Sequence, residues 1–429
     1  MLARFLTNTR GGVAPLMAVV AVPVLAVVGM AVDYTRANAA RAAFQTSLDA
    51  TALMLSREAA ADAANADHTV LQTHATDTFK ALYNHPEVNG VTVTPVYTSG
   101  AAGSQLNLQG TGFINTNFLG VIGVSQIEIG ATSVSVWGNT RLRVALVLDN
   151  TGSMASSGKM AALKTATHNL LDQLKSAAHK PEDVYVSIVP FSKDVNFGSD
   201  NYNQTWLRWD LWDPLNGTCS DSRYHKQSNC VSHGKVWTPA PHNTWNGCVT
   251  DRDQNYDTTN NAPVAGATLY PTEQYDSCSV SLVQLTNDWT ALNAKVDAMQ
   301  PVGNTNQAIG LQVGWQTLTA SPFTIPPVDP DYRYQTVIIL LTDGLNTEDR
   351  WYTTQSSIDN RQRTTCNNVK AAGITLYTVQ VNTGGDATST LLQNCATDPG
   401  KFFLLTTAGA IVTTFSQIGT ALQNLRLSM

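Results

Sequence analysis

VALVLDNTGSM, residues 144–154, decides how the rest of the chain is read. Five consecutive apolar residues, with no polar alternation, describe a short strand buried on both faces. Asp149 ends the run, and Thr151 and Ser153 follow at alternate positions. A second run, TVIILLTDG at residues 336–344, also ends in a carboxylate, Asp343, followed by glycine. VYVSIVPFS (184–192), ITLYTVQVN (374–382) and FFLLTT (402–407) read as further strands. Lys159 to Ser176, Thr286 to Met299, Asn306 to Leu318 and Ile358 to Ala372 read as helices between them. LLQNCA belongs to another helix, and a last one runs to Leu425. Buried strands alternating with helices predict an α/β fold, a doubly wound and mostly parallel sheet covered on both faces. In such sheets ligands bind beyond the carboxyl ends of the strands.

Those ends carry oxygen. Asp149, Thr151 and Ser153 can turn one carboxylate and two hydroxyls towards one point, and Asp343 adds a second carboxylate. Gly303-Asn304-Thr305-Asn306 opens a helix and offers the Thr305 hydroxyl. A set made only of oxygen suits a hard cation that keeps several waters: Mg²⁺, with Mn²⁺ or Ca²⁺ as alternatives.

The N-terminal region is of another kind. Residues 11–32, GGVAPLMAVVAVPVLAVVGMAV, are 22 residues without a charge. As a helix they measure about 33 Å, enough to cross a bilayer. Arg4 and Arg10 precede the run and Asp33 follows it, so the positive-inside bias puts residues 1–10 in the cytoplasm and the rest outside. The run exceeds the usual length of a cleaved signal's apolar region, which favours an anchor. Residues 33–83 form one long Ala-rich helix or two. Phe44, Leu48, Ala52 and Leu55 make one stripe, either for oligomerisation or for packing on the same domain. VTVTPVYT, SQLNLQGTGF and IEIGATSVSVW, between residues 88 and 138, alternate and read as a small antiparallel sheet. A membrane helix followed by a small sheet has the plan of pilin-like subunits. The expected division is therefore 1–10, 11–32, 33–138 and 139–429.

Residues 196–284 interrupt the β/α pattern, being rich in Asn, Asp, Thr, Trp and Cys. Six cysteines (Cys219, Cys230, Cys248, Cys278, Cys366 and Cys395), an even number without a C-x-x-C pair, favour disulfides in an oxidising compartment. Cys366 and Cys395 are expected to pair, while the first four allow three connectivities. The tryptophans from Trp206 to Trp245 are either a small core, the preferred reading, or a platform for sugar rings. Asp251, Asp253, Asn255 and Asp257 occupy the first four ligand positions of a calcium loop, but Tyr256 and Ala262 stand where glycine and glutamate belong. A second cation loop is thus a candidate beside a plain acidic turn. His225, His233 and His242 lack zinc spacing. Gly152 to Lys159 fails the phosphate-loop pattern in both its gap and its last residue. A net charge of −6 and no long basic stretch give no footprint for nucleic acid.

DNTGS resembles the metal-ion-dependent adhesion site motif Asp-x-Ser/Thr-Gly-Ser of von Willebrand factor A-type domains. Gly303–Asn306 resembles the threonine loop of that family and Leu341–Gly344 its second aspartate loop. The resemblance spans about 141–195 and 286–429. It implies Thr151 and Ser153 as direct ligands, Thr305 as a direct or water-mediated one, and Asp149 and Asp343 as holders of charge and water. One coordination position is left for an acidic group of a protein partner. The stretch from Gly11 to Leu53, with Trp245-Asn246-Gly247-Cys248-Val249 and Asp251-Arg252-Asp253, is similar to TadG-type proteins of Tad/Flp pilus loci. That implies a non-enzymatic role in pilus assembly or adhesion, with Tad/Flp components as partners. It also implies a single-pass location in a bacterial inner membrane, with the C-terminal domain in the periplasm or at the surface. The alternative is an adhesin reading glycan or matrix through the Trp/Cys-rich insertion.

Overall fold

The computed structural model describes residues 13–61, 68–100, 103–137, 140–178, 180–330 and 332–427. Residues 1–10, with Arg4 and Arg10, lie outside the described set. The chain divides into two units, Met1–Asn139 and Thr140–Ser428.

The first unit begins with one unbroken helix, α1 (Val13–Ala61), followed by α2 (His68–Leu82) and strands β1 (Val88–Gly100), β2 (Gly103–Asn115) and β3 (Gln126–Trp137). The strands form an antiparallel meander, β1-β2-β3. Two surfaces share α1. Val19, Val22, Leu25 and Val27 are exposed, whereas Phe44, Leu48, Ala52 and Leu55 are buried. That stripe packs with Phe79 of α2, with Tyr83 just after it, and with Leu106, Leu108 and Ile129 of the sheet. The second of its two expected uses therefore holds: it faces its own unit. Asp33 marks the change between the surfaces. Its carboxylate accepts from the backbone N–H groups of Asn117, Phe118 and Leu119 at 3.1, 2.8 and 2.9 Å.

The second unit is the α/β fold. Its principal elements are β4 (Thr140–Asp149), α3 (Lys159–Ala177), β5 (Val184–Phe191), β6 (Val195–Asn196), β7 (Cys248–Val249), β8 (Val283–Thr286), α4 (Trp289–Ala298), α5 (Gln307–Thr319), β9 (Arg333–Thr342), α6 (Gln355–Ala371), β10 (Thr375–Val381), α7 (Thr390–Cys395), β11 (Phe402–Leu405) and α8 (Ala410–Leu427). Sheet order is β7-β6-β5-β4-β9-β10-β11, with β8 also paired to β5. The run from β5 to β11 is parallel, and β6, β7 and β8 add antiparallel pairs at the β5 edge.

The period of two sorts each central strand between two cores. Leu142, Val144, Leu146 and Leu148 meet Leu163, Leu170, Val296 and Phe415 of α3, α4 and α8. Ala145 and Val147 face the other way, towards Ile309, Val313 and Val369 of α5 and α6. Helix α5 comes so close that a Cβ added at Gly314 would stand 2.4 Å from Val147 Cγ2.

The insertion has its own small core, continuous with the second one. Trp212, Trp245 and Tyr270 are fully buried. Trp209, half-buried, has a face covered by His242, with ring centroids 3.6 Å apart. The tryptophans therefore pack rather than offer a row of open faces for sugar. Disulfides Cys219–Cys230 and Cys248–Cys278 close the insertion, and Cys366–Cys395 ties α6 to α7.

In the second candidate cation loop, arginines meet the carboxylates. Asp253 receives Arg208 Nη1 at 2.9 Å and Arg350 Nη1 at 2.7 Å. Asp257 receives Arg361 Nε at 2.7 Å. Asp251 is buried, accepting from Asn306 Nδ2 at 2.8 Å and the Arg350 backbone N–H at 3.2 Å. Arginine forks supply the positive charge that calcium would have supplied, and they bind the insertion to α6 and the segment before it. Among the described residues, no three His, Cys, Asp or Glu side chains group to hold a metal.

Two outcomes are expected. Gly314→Ala gains about 1 kcal/mol of helix propensity but overpacks Val147, at a cost of roughly 1–3 kcal/mol. The urea midpoint should therefore fall, and a rise would mean that α5 backs away freely. Burial, then Asp349 and Asp257, push the Asp251 carboxyl up to about 7 from an ordinary value of 3.8. Its folded form holds the proton longer than the unfolded form, so its contribution is full below pH ~4 and lost as pH rises through ~7. Asp251→Asn should gain on the wild type between pH 5 and pH 8 in thermal melts; parallel pH profiles would refute the assignment.

Candidate metal centre

Strands β4 and β9 are neighbours, with Leu148 opposite Leu341. That register brings the two carboxyl ends level, and the candidate residues follow. Asp149 is fully buried at the end of β4. Its Oδ1 accepts from the Thr151 backbone N–H at 2.8 Å and the Thr151 hydroxyl at 2.5 Å, a side-chain turn that folds the loop back over the strand. Its Oδ2 accepts from the Thr342 hydroxyl at 2.6 Å. The Thr151 and Ser153 hydroxyls lie 3.0 Å apart, and Ser153 donates to Asp343 Oδ1 at 2.6 Å. Asp149, Thr151, Ser153 and Asp343 thus form one continuous chain of oxygen atoms.

The threonine loop is stitched alongside. Val302 N–H donates to the Asn150 carbonyl at 2.7 Å, and Gly152 N–H to the Gly303 carbonyl at 3.0 Å. Gly303 has φ +74°, and a Cβ there would stand 2.7 Å from the Tyr275 hydroxyl. Only glycine lets the loop pass so close. Asn306 caps α5, accepting from Ile309 N–H at 3.3 Å. Thr305 is held by its backbone: its N–H donates to the Thr347 hydroxyl at 2.8 Å, and its carbonyl accepts Thr347 N–H at 2.9 Å. Its own hydroxyl has no hydrogen-bond partner among the described residues.

One participant escapes motif reading. Lys159, the first residue of α3, is buried and places its ammonium on Asp343 Oδ2. The only sequence signal is a lysine opening the helix that follows the first loop. The centre therefore holds two carboxylates and one ammonium. Burial, and then the charge of Asp343, raise the Asp149 carboxyl to about 6, against the pull of the Thr151 and Thr342 hydrogen bonds. The donor set fits a small divalent cation: all oxygen, a negative excess, and one hydroxyl without a partner.

Two family models match parts of this chain. Residues 269–417 match the family model of the von Willebrand factor type A domain, and residues 11–63 match that of the Flp pilus-assembly TadE/G-like (Tad) family. The first match takes in the loops of Thr305 and Asp343. DNTGS lies before it, separated by most of the insertion. No curated protein matches the chain.

Among solved structures, similar chains include the pilus adhesin SpaC from Lactobacillus rhamnosus GG. It is 13% identical, with 80% of this chain and 36% of that chain covered and a TM-score of 0.36. This chain therefore spans little more than a third of that protein's length. Another is the vWF domain of the type V pili tip protein Mfa5 from Porphyromonas gingivalis. It is 11% identical, with coverage of 69% and 98% and a TM-score of 0.39. A third is proximal thread matrix protein 1 from the mussel byssus with a zinc-occupied MIDAS motif. It is 11% identical, with coverage of 67% and 46% and a TM-score of 0.34. The chain thus joins a segment of the TadE/G-like Tad family at its N-terminus to a von Willebrand factor type A domain.

Proposed function

We propose that the chain is a non-enzymatic, membrane-anchored protein of Tad pilus assembly or adhesion that grips a protein partner through a divalent cation. Asp149, Thr151, Ser153, Thr305 and Asp343 are the residues that would hold the ion, with Mg²⁺ the first choice and Mn²⁺ or Ca²⁺ the alternatives. The observation that carries this reading is the pair of acidic strand ends, joined through Thr151 and Ser153 with one lysine as counter-charge. A cation bound there offers an open coordination position to an Asp or Glu of the partner. The protein's own part is to keep the hydroxyls aimed, and the Asn306 cap and the Gly303 turn do that for the threonine loop.

In this reading residues 11–32 cross the bacterial inner membrane, residues 1–10 stay in the cytoplasm, and residues 33–138 and 139–429 lie outside. The exposed apolar surface of α1 over Val19–Val28 supports the crossing. Three disulfides suit the oxidising side. The adhesin alternative, with a sugar platform in the insertion, finds no support in tryptophans that are packed as core.

Two substitutions test the centre in the full chain held in detergent. Thr305→Ala removes a hydroxyl without a hydrogen-bond partner. It should leave the melting temperature in EDTA unchanged while weakening Mg²⁺ in calorimetric titration by about tenfold, or ~1.4 kcal/mol. Equal Mg²⁺ affinity would exclude Thr305 from the site. Lys159→Met strips Asp343 of its counter-charge, which costs about 3 kcal/mol when a buried pair is broken. The melting temperature should drop in EDTA and recover with Mg²⁺, which should also bind more tightly than to the wild type. A drop that Mg²⁺ does not repair would show that the ion does not reach Asp343.

A further inference from the structure

The opposite end of the sheet holds a charge that the metal reading does not use. Arg143 lies near the start of β4, six residues before Asp149, and is 6% exposed. Its Nη2 donates to the Pro326 carbonyl at 2.6 Å, and its guanidinium sits over the Tyr334 ring at 4.5 Å. Its Nε is buried without a hydrogen-bond partner. Among the described residues no carboxylate pairs with it. Burial lowers its affinity for the proton, and the Tyr334 and Tyr185 hydroxyls offset that only in part.

Arg141, two residues earlier on the strand, is different. It has Asp329 at 3.4 Å and Asp183 at 3.8 Å, and lies over the Tyr332 ring. A buried cation without a counter-ion is costly. Folded proteins keep one where something pairs with it.

Space for that partner is present. A cavity of about 220 Å³ is lined by Arg143 together with Arg141, Tyr185, Pro326, Pro327 and Tyr334, with Glu182 and Asp329 also on its wall. That is the bulk-liquid volume of about seven waters, enough for a carboxylate and the group bearing it.

We propose that this cavity is a carboxylate-binding site, anchored by Arg143 and distinct from the metal centre at the other end of β4. The shape of the cation selects the ligand. Among the described residues Arg143 has no carboxylate within ion-pair distance, and its planar fork fits a carboxylate's two oxygens. A phosphate dianion would bring a second charge towards Glu182 and Asp329 with no second free cation to meet it. The flanking prolines and tyrosines provide apolar walls, which suits a peptide's acidic end rather than a bare ion. The carboxylate comes either from a chain terminus or from an acidic side chain.

Saturation-transfer NMR on the full chain in detergent tests this, on protein stripped of metal over a chelating resin and kept in metal-free buffer so that carboxylates cannot bind through a metal. The probes are acetyl-diglycine for a chain terminus, N-acetylglutamate amide for a side chain, acetyl-diglycinamide as the neutral control, and inorganic phosphate. At least one of the two carboxylates should bind, and whichever does identifies the source. The neutral amide should not bind, and phosphate should bind more weakly. Arg143→Met should weaken carboxylate binding about tenfold or more, yet melt no lower than the wild type because it removes an unpaired buried charge. Glu182→Gln should strengthen it. If Arg143→Met does not fold, Arg143→Lys, which keeps the charge and loses the fork, should melt normally and bind more weakly. Binding of the neutral amide, preference for phosphate, or undiminished binding in a folded Arg143 variant would overturn the proposal.

Discussion

One strand pairing organises the second unit. Strands β4 and β9 run side by side in parallel from Thr140 and Arg333 to Leu148 and Leu341. At the carboxyl ends, that register sets Asp149 beside Thr342 and Asp343. At the amino ends, it sets Arg143 near Tyr334 and the prolines before it. Both poles are chemically unusual because both bury charge, and a sheet interior tolerates buried charge only with partners. At one pole hydroxyls and a lysine answer two carboxylates, while at the other a guanidinium has only carbonyls and an aromatic face. A shift of β9 by a single residue would turn its side chains to the opposite face and undo both poles together.

The parts of this architecture that are local were legible in the sequence. The apolar runs at 144–148 and 337–341 are strands because nothing in them alternates. Asn306 begins a helix because its side chain accepts an N–H of the first turn. Helix α4 starts at Trp289 rather than Thr286 because Asp288 accepts from Thr290 and Ala291, making it the cap. Asp149, Thr151 and Ser153 come within reach of one another through a turn that three neighbouring residues close among themselves.

What was not legible depends on partners distant in the chain. Asp251, Asp253 and Asp257 have the spacing of a cation loop, and only the fold reveals arginines instead. Arg208, Arg350 and Arg361 lie 45, 97 and 104 residues from the carboxylates they meet. Lys159 is similar: its 184-residue separation from Asp343 conceals a contact that halves the formal charge of the centre. The tryptophans of the insertion gave two readings because aromatic content alone does not separate core from surface. Burial of Trp212 and Trp245, and the His242 ring lying on Trp209, decide it.

Thr140 and Asp149 are the two ends of one strand, and this has a mechanical consequence. The chain enters the second unit at Thr140, coming from the helix proposed as the anchor, and a partner gripped at the metal centre would pull close to Asp149. Tension between cell and partner would then run along about 33 Å of β4, lengthwise to hydrogen bonds shared with β5 and β9 on either side. Such bonds are loaded together in shear rather than opened one by one. The helices, the insertion and all three disulfides lie off that line, so the strand that would carry the tension is one buried along nine of its ten residues.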